Sequence, residues 1–390
     1  MDGYEAHWQQ ALADLRERHM FRAMRPSMRL PGARIRFGDG PELIDFSSND
    51  YLGLTHHPEM IAASRDYAQK FGAGAGASRL VSGNLAPTVE IERKLAQAKS
   101  MQAALVFVSG AQANLTLLPA LLDARILGAE PLVYADRLNH ASLIQGCVAA
   151  GVRQIRFRHN DLDHLRLLLE RDSLLGRPRF IITESVFSMD GDGPDIKALA
   201  ALAESFKAFL YIDEAHATGV LGAEGFGLAC GLKNALIMGT FSKGLGGFGG
   251  YVACTAVLRD YLVNRCGGLI YATALPPSVL GTMKAAIELV PDMQAQRLHV
   301  LKLAELLRGR LRQAGLNTGA STTQIVPLIL EDESFCLNLA RMLEDEGFCT
   351  VAIRPPTVPM GTSRLRLALS ALHQEQDVLS LADAIISHCQ

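Results

Sequence analysis

Between residues 103 and 254 the sequence repeats one pattern: a short, largely apolar run, a turn of small or polar residues, then a stretch with helical spacing. The runs are AALVFV (103–108), LVYA (132–135), QIRFR (154–158), RFIIT (179–183), FLYID (209–213), ALIMGT (235–240) and GYVAC (250–254). Runs this short, apolar at consecutive positions and bounded by turn residues, read as strands covered on both faces. Strands that alternate with helices along the chain assemble into a parallel or mostly parallel sheet with helices on both sides. The expected fold class is therefore α/β. Around this centre, residues 1–25 read as an amphipathic helix ending before Pro26, and residues 33–46 as a short hairpin. Residues 277–315 read as one or two long helices. Residues 324–390 read as strand, helix, strand, strand, helix. The expected division is 1–45 (N-terminal helix and short strands), 46–285 (a large sheet domain) and 286–390 (a smaller C-terminal α+β domain).

Composition excludes several functions. With 49% apolar and 20% charged residues over 390 positions, the chain has ample material for a core. Its 38 basic and 40 acidic residues give a net charge of −2, too little positive field to hold a nucleic acid. Seven cysteines, an odd number with no C-x-x-C, fit free thiols in a reducing compartment, so a cytoplasmic location is expected. No run of about 18 apolar residues occurs, and the first 20 residues lack the apolar centre of a signal peptide, so no membrane association is expected. No group of residues has the spacing of a metal site.

In an open α/β sheet, ligands bind beyond the carboxyl ends of the strands. The first run leads into Ser109-Gly110-Ala111-Gln112-Ala113-Asn114 and then a helix, a small-residue turn suited to a phosphate. The second is followed by DRLNHAS, with His140; the fourth by ESVFSMDGD, with Ser188. The fifth ends at Asp213, a carboxylate costly to bury unpaired, and His216 lies three residues on. D-x-x-H alone does not make a metal site. The sixth run ends at Thr240 and opens FSKGLGGFGG, where Lys243 is either a phosphate clamp or a desolvated nucleophilic amine. No Walker-type P-loop occurs. Phosphate turn, strand-end Asp and later Lys, in this order, form the set that pyridoxal 5'-phosphate requires. The lysine forms a Schiff base, the carboxylate pairs with the pyridinium nitrogen, and the helix N-terminus takes the phosphate.

These residues resemble the α-oxoamine synthase family of fold-type I pyridoxal-phosphate enzymes. The matching stretches are FSSNDYLGLTHHP (46–58), GAGASRLVSG (74–83), DRLNHASLIQG (136–146), HNDLDHL (159–165), ESVFSMDGD (184–192), DEAHATGVLG (213–222), TFSKGLGGFGG (240–250), YATALPP (271–277) and IRPPTVPMGTSRLRLALSALH (353–373). They cover nearly the whole chain in the family's order. The last stretch resembles the family's biotin-pathway branch; members that use glycine or serine share the earlier motifs.

The resemblance implies a homodimer with its site at the subunit interface, and a role for each matched residue. Lys243 is the Schiff-base lysine, Asp213 the pyridinium partner, His216 the group near the phenolic oxygen, and His140 the histidine stacked on the ring. Ser188 is a cofactor-side hydroxyl. Gly110, Ala111, Gln112 and Thr240 form the phosphate site, with Thr273 reaching in from the second subunit. Where the family often has an aromatic residue after the glycine of the phosphate turn, this chain has Ala111, so backbone contacts survive and an aromatic contact does not. Arg366 takes the amino-acid carboxylate and Asn49 lines the same pocket. Arg22 and Thr357 match acyl-substrate positions. Ser78 stands where glycine-specific relatives carry threonine. The implied reaction joins L-alanine to a pimeloyl thioester, on CoA or a carrier protein, with loss of CO2. The rivals are another amino acid and acyl donor within the family, and an aminotransferase that shares the Asp and Lys.

Overall fold

A computed structural model describes residues 2–18 and 20–390. Its strands are β1 (Ser27–Leu30), β2 (Arg34–Phe37), β3 (Glu42–Asp45), β4 (Ala103–Phe107), β5 (Leu132–Asp136), β6 (Gln154–Phe157), β7 (Arg179–Glu184), β8 (Phe209–Asp213), β9 (Ala235–Thr240), β10 (Gly250–Cys254), β11 (Ile325–Glu331), β12 (Phe348–Cys349), β13 (Ala352–Ile353) and β14 (Ser363–Ala368). Each of the seven apolar runs is a strand. The chain divides into two compact units: one of residues 1–48, 189–191 and 299–390, the other of residues 49–188 and 192–298. The two end segments, read separately from sequence, thus fall in one unit. The second boundary lies inside the helix Gln294–Gln313 rather than near residue 285.

The larger unit is built on a seven-stranded sheet in the order β4-β10-β9-β8-β7-β5-β6. β9, β8, β7, β5 and β6 pair in parallel, whereas β10 is antiparallel to both β9 and β4. Side chains alternate across the strands, so successive residues serve opposite faces. Tyr211, Leu236 and Met238 join a core with Leu117, Leu118 and Leu143 of the helices Gly110–Leu121 and Ala141–Ala149. Leu210, Ile212 and Ile237 join a second core with Leu165, Leu199 and Leu202 of the helices Leu162–Arg171 and Ile196–Ser205. Covered on both faces, the sheet presents its strand ends to a ligand.

In the other unit β1, β2, β3 and β12 form one small sheet and β11, β14 and β13 another. Helices Glu333–Asp345 and Glu375–Cys389 contribute Leu339, Leu343, Leu381 and Ile385 to its core. The hairpin expected at 33–46 is the β2–β3 pair. The N-terminal helix runs only from Asp2 to Glu17, shorter than the 1–25 expected, and Met1 and His19 lie outside the described residues. Its apolar stripe is Tyr4, Trp8, Leu12 and Leu15; the next residue at that spacing is Arg18, where the stripe ends. No helix among the described residues is long and apolar enough to cross a membrane.

Candidate active site

In the larger unit, parallel pairing brings the carboxyl ends of the strands to one edge of the sheet. Glu184 of β7 stands opposite Asp213 of β8, and Asp213 opposite Met238 of β9. Beyond that edge is a cleft of about 620 Å³, lined among others by Gly110, His140, Asp213, His216, Thr240 and Lys243.

One wall is the start of the helix Gly110–Leu121. Ser109 caps it, its Oγ accepting the Gln112 N–H at 3.1 Å. The first-turn N–H groups have no partner within the helix. A Cβ on Gly110 would stand in ordinary van der Waals contact with Met238 and Thr240, 3.6–3.7 Å away. A Cβ on Gly250 would come within 2.7 Å of the Ser109 backbone, so only glycine lets β10 pass there. Thr240 Oγ1 donates to the Gly249 carbonyl at 2.8 Å and accepts the Ser242 N–H at 3.2 Å. The result is a small, donor-rich cradle suited to a phosphate group.

On the cleft floor, Asp213 is buried, with each oxygen engaged. Oδ1 accepts the Ala215 N–H at 2.9 Å and Oδ2 accepts Asn114 Nδ2 at 3.0 Å. Asn114 is itself fixed: its Nδ2 also reaches Ser142 Oγ at 2.9 Å, and its Oδ1 accepts the Tyr211 hydroxyl at 2.6 Å. Ser142 Oγ lies 2.7 Å from Nδ1 of His140, and the His140 N–H donates to Glu184 Oε1 at 2.6 Å. Desolvation lowers the His140 pKa; Asp213 opposes this and Lys243 adds to it, so the ring is held below its ordinary value. Glu184, fully buried beside Asp213, is pushed well above the ordinary carboxylate range by burial first and that neighbour second.

Lys243 is half-buried, and its Nζ lies 2.7 Å from His216 Nε2. The other ring nitrogen of His216 lies 2.6 Å from the Tyr51 hydroxyl, which is 3.1 Å from Asn49 Oδ1. Four side chains thus form one hydrogen-bonded row ending at the lysine amine. A buried carboxylate, a helix N-terminus with room before it and a buttressed primary amine fit pyridoxal phosphate: charge for a ring nitrogen, donors for a phosphate, an amine for an aldehyde.

Of the residues singled out in the sequence, Gly110, Ala111, His140, Asp213, His216, Thr240 and Lys243 line this cleft. Gln112 does not turn its side chain to the cleft. Its Nε2 donates to the Gly268 carbonyl at 2.9 Å and its Oε1 accepts the Val108 N–H at 3.1 Å, so it braces the strand-to-helix turn. Ala111 lies exposed on the cleft wall, and Ser188 is half-buried in the turn after β7. Ser78 and Thr273 meet in an isolated antiparallel bridge, outside the lining of the Lys243 cleft. In the other unit, Arg22 Nη2 lies 3.4 Å from Thr357 Oγ1, both residues exposed. Arg366 is buried on β14 opposite Pro327 of β11. Its neighbour Arg364 is taken up by Asp190, Nη1 to Oδ1 at 2.6 Å. Asn114, Tyr51 and Glu184 were not singled out. Asn114 carried a signal: it lies one helical turn beyond Gly110, on the same face.

The family model "Aminotransferase class I and II" matches residues 41–385. The "Putative 8-amino-7-oxononanoate synthase" of Paramagnetospirillum magneticum is 57% identical over 94% of this chain and 93% of its own. The 8-amino-7-oxononanoate synthase of Gluconacetobacter diazotrophicus is 52% identical over 99% of this chain and 97% of its own. A solved structure of SPT with PLP internal aldimine superposes with a TM-score of 0.89 at 27% identity, covering 98% of this chain and 96% of that one.

Proposed function

Because the chain belongs to the aminotransferase class I and II family, in its pyridoxal-phosphate-dependent α-oxoamine synthase branch, we propose that it condenses L-alanine with a pimeloyl thioester, releasing CO2 and the thiol and giving 8-amino-7-oxononanoate. The observation that carries the reading is one cleft holding Lys243, His216 and Asp213 in front of the Gly110 helix N-terminus. Support for the particular substrates comes from the relatives named for this activity.

When bound, the cofactor supplies an electron sink for negative charge at the amino acid's Cα. Asp213, its carboxylate oriented by Asn114 and the Ala215 N–H, would supply the negative charge for the ring nitrogen. The Gly110–Ala111 turn and Thr240 would hold the phosphate, Thr273 of a second copy would complete that site, and Ser188 would add a hydroxyl. Lys243 Nζ takes the proton from Cα and later returns one there, while His216 Nε2, 2.7 Å away, fixes where the amine sits. His140, whose pKa burial holds below its ordinary value, would stack on the ring of a bound cofactor. Arg366 orients the alanine carboxylate through two parallel hydrogen bonds, the geometry its fork is built for. Asn49 lines that pocket, Ser78 leaves room for the alanine methyl, and Arg22 with Thr357 meets the acyl chain.

The test is thiol release measured for alanine, glycine and serine, each crossed with thioesters of several chain lengths on CoA and on carrier protein. Alanine with a pimeloyl donor is expected to have the highest kcat/KM. A keto acid product without thiol release would overturn the reading in favour of an aminotransferase.

A further inference from the structure

The side chain next to Asp213 points away from the cleft into an arrangement that the proposed chemistry leaves unused. Glu214 and Lys99 form an ion pair whose side chains are both 0% exposed, Nζ to Oε2 at 2.7 Å. The lysine also donates to the Phe226 carbonyl and, at 3.4 Å, to Thr218 Oγ1, and it lies 5.3 Å from the Tyr251 ring centroid. The second carboxylate oxygen accepts the N–H groups of Leu228 at 2.6 Å and Ala229 at 3.0 Å. Thr218 Oγ1 in turn lies 2.9 Å from the Tyr251 hydroxyl.

Such a pair is a poor source of stability. Desolvating two charges costs about as much as their attraction returns, and apolar replacements of similar volume are often neutral. What the pair does supply is position. It grips the 213–219 turn at both ends, beside Asp213 at residue 214 and beyond His216 at residue 218. The far end of that turn lies directly against the lysine loop. A Cβ on Gly219 would come within 2.7 Å of the Gly244 carbonyl carbon, and a Cβ on Gly244 within 2.6 Å of the Thr218 carbonyl oxygen. Gly219 also has φ +98°, a conformation that L side chains rarely adopt. The turn and the residue after Lys243 are therefore in backbone contact, with no side chain to cushion a shift.

We propose that Lys99 and Glu214 are positioning residues: their buried pair pins the Asp213–Gly219 turn and, through the Thr218–Gly219 backbone, sets the place of Lys243 relative to Asp213 and His216. This rests on the reading that those three groups hold and use pyridoxal phosphate.

The test is the double variant Lys99→Met/Glu214→Gln, which removes both charges, keeps an acceptor for the Leu228 and Ala229 N–H groups, and is expected to melt within a few degrees of the wild type. In the cofactor-free protein, amide hydrogen exchange over residues 215–220 is expected to quicken about tenfold, with the sheet strands unchanged. In the loaded enzyme the visible cofactor band remains. There, kcat is expected to fall about 10–100-fold, with the amino-acid KM within about twofold. Wild-type exchange at 215–220, or faster exchange with wild-type kcat, would overturn the proposal. Should the double variant not fold, Thr218→Val loosens the same turn from Lys99 and Tyr251. It is expected to shift exchange and kcat the same way by about threefold, and wild-type values for both would overturn the proposal. Absence of a cofactor band in the wild type would overturn the cofactor reading instead, and the exchange measurement, made without cofactor, still decides the pinning.

Discussion

Asp213 is held from two directions, by a backbone N–H two residues on and by an amide 99 residues earlier in the chain. The first partner is local and follows from the turn; the second depends on where the helix Gly110–Leu121 packs. That explains why Asp213, His216 and Lys243 stood out in the sequence while Asn114 and Tyr51 did not. The former sit in short motifs at strand ends, whereas Asn114 is marked only by sharing a helix face with Gly110 and Tyr51 reaches the site through the tertiary fold. Replacing Asp213 by Asn keeps the size and the Ala215 contact but removes the charge proposed to hold the ring nitrogen protonated. Asp213→Asn is expected to retain the cofactor band while exchange of the alanine Cα proton slows at least a hundredfold; Cα exchange followed by NMR measures this. Gly110→Val acts on the other end of the cleft. Its backbone is not strained there, so the expected loss is in cofactor affinity, by tenfold or more, with little change in melting temperature; a cofactor titration separates the two. Arg366→Ala is expected to raise the alanine KM by at least about thirtyfold, since losing a buried charge-assisted pair costs about 2–5 kcal/mol. Steady-state kinetics at saturating acyl donor measure it.

At the scale of elements, the apolar runs identify the strands but not the direction of each. GYVAC looks like its neighbours, yet β10 runs antiparallel. The deciding signal was the link. Residues 241–249 are too few for the crossover of a dozen or more residues that a parallel neighbour needs. That same tight return places Lys243 beside the sheet edge. A second element-level device lies at the carboxyl ends of β5, β6 and β7 and the segments that follow them. His159 sits between two carboxylates, Nδ1 3.0 Å from Asp136 and Nε2 3.1 Å from Asp192, and its ring meets Phe187 edge-on at 4.4 Å. Burial works against its charge, but the bonds to Asp136 and Asp192 outweigh it and lift the pKa to about 10. A histidine whose folded pKa lies above its ordinary 6.5 contributes stability that is complete below about pH 6.5 and is lost as pH rises through about 10. His159→Gln is therefore expected to melt roughly 2–5 °C below the wild type at pH 6, and the gap should close by about pH 10. Melting curves across that range check the sign: a gap that widens with pH would contradict the clamp.

For the molecule as a whole, the balance of charge and the free cysteines were plain in the composition, whereas the division into units was not. The first 48 residues and the last 92 form one unit because β12 pairs in parallel with β3, a contact spanning some 300 residues that no local pattern announces. The boundary inside the helix Gln294–Gln313 was equally hidden, since one uninterrupted helical repeat crosses it. What the sequence did carry at this scale was the order of strand-end motifs, and that order delivers an amine, a carboxylate and a phosphate cradle to one cleft. The proposed chemistry depends on Lys243 moving the Cα proton. The most direct measurement is deuterium incorporation at Cα of L-alanine in D2O, without acyl donor, by the wild type and by Lys243→Ala. Ready incorporation is expected for the wild type, and a rate at least about a hundredfold lower for the variant. Equal rates in the two proteins would contradict it.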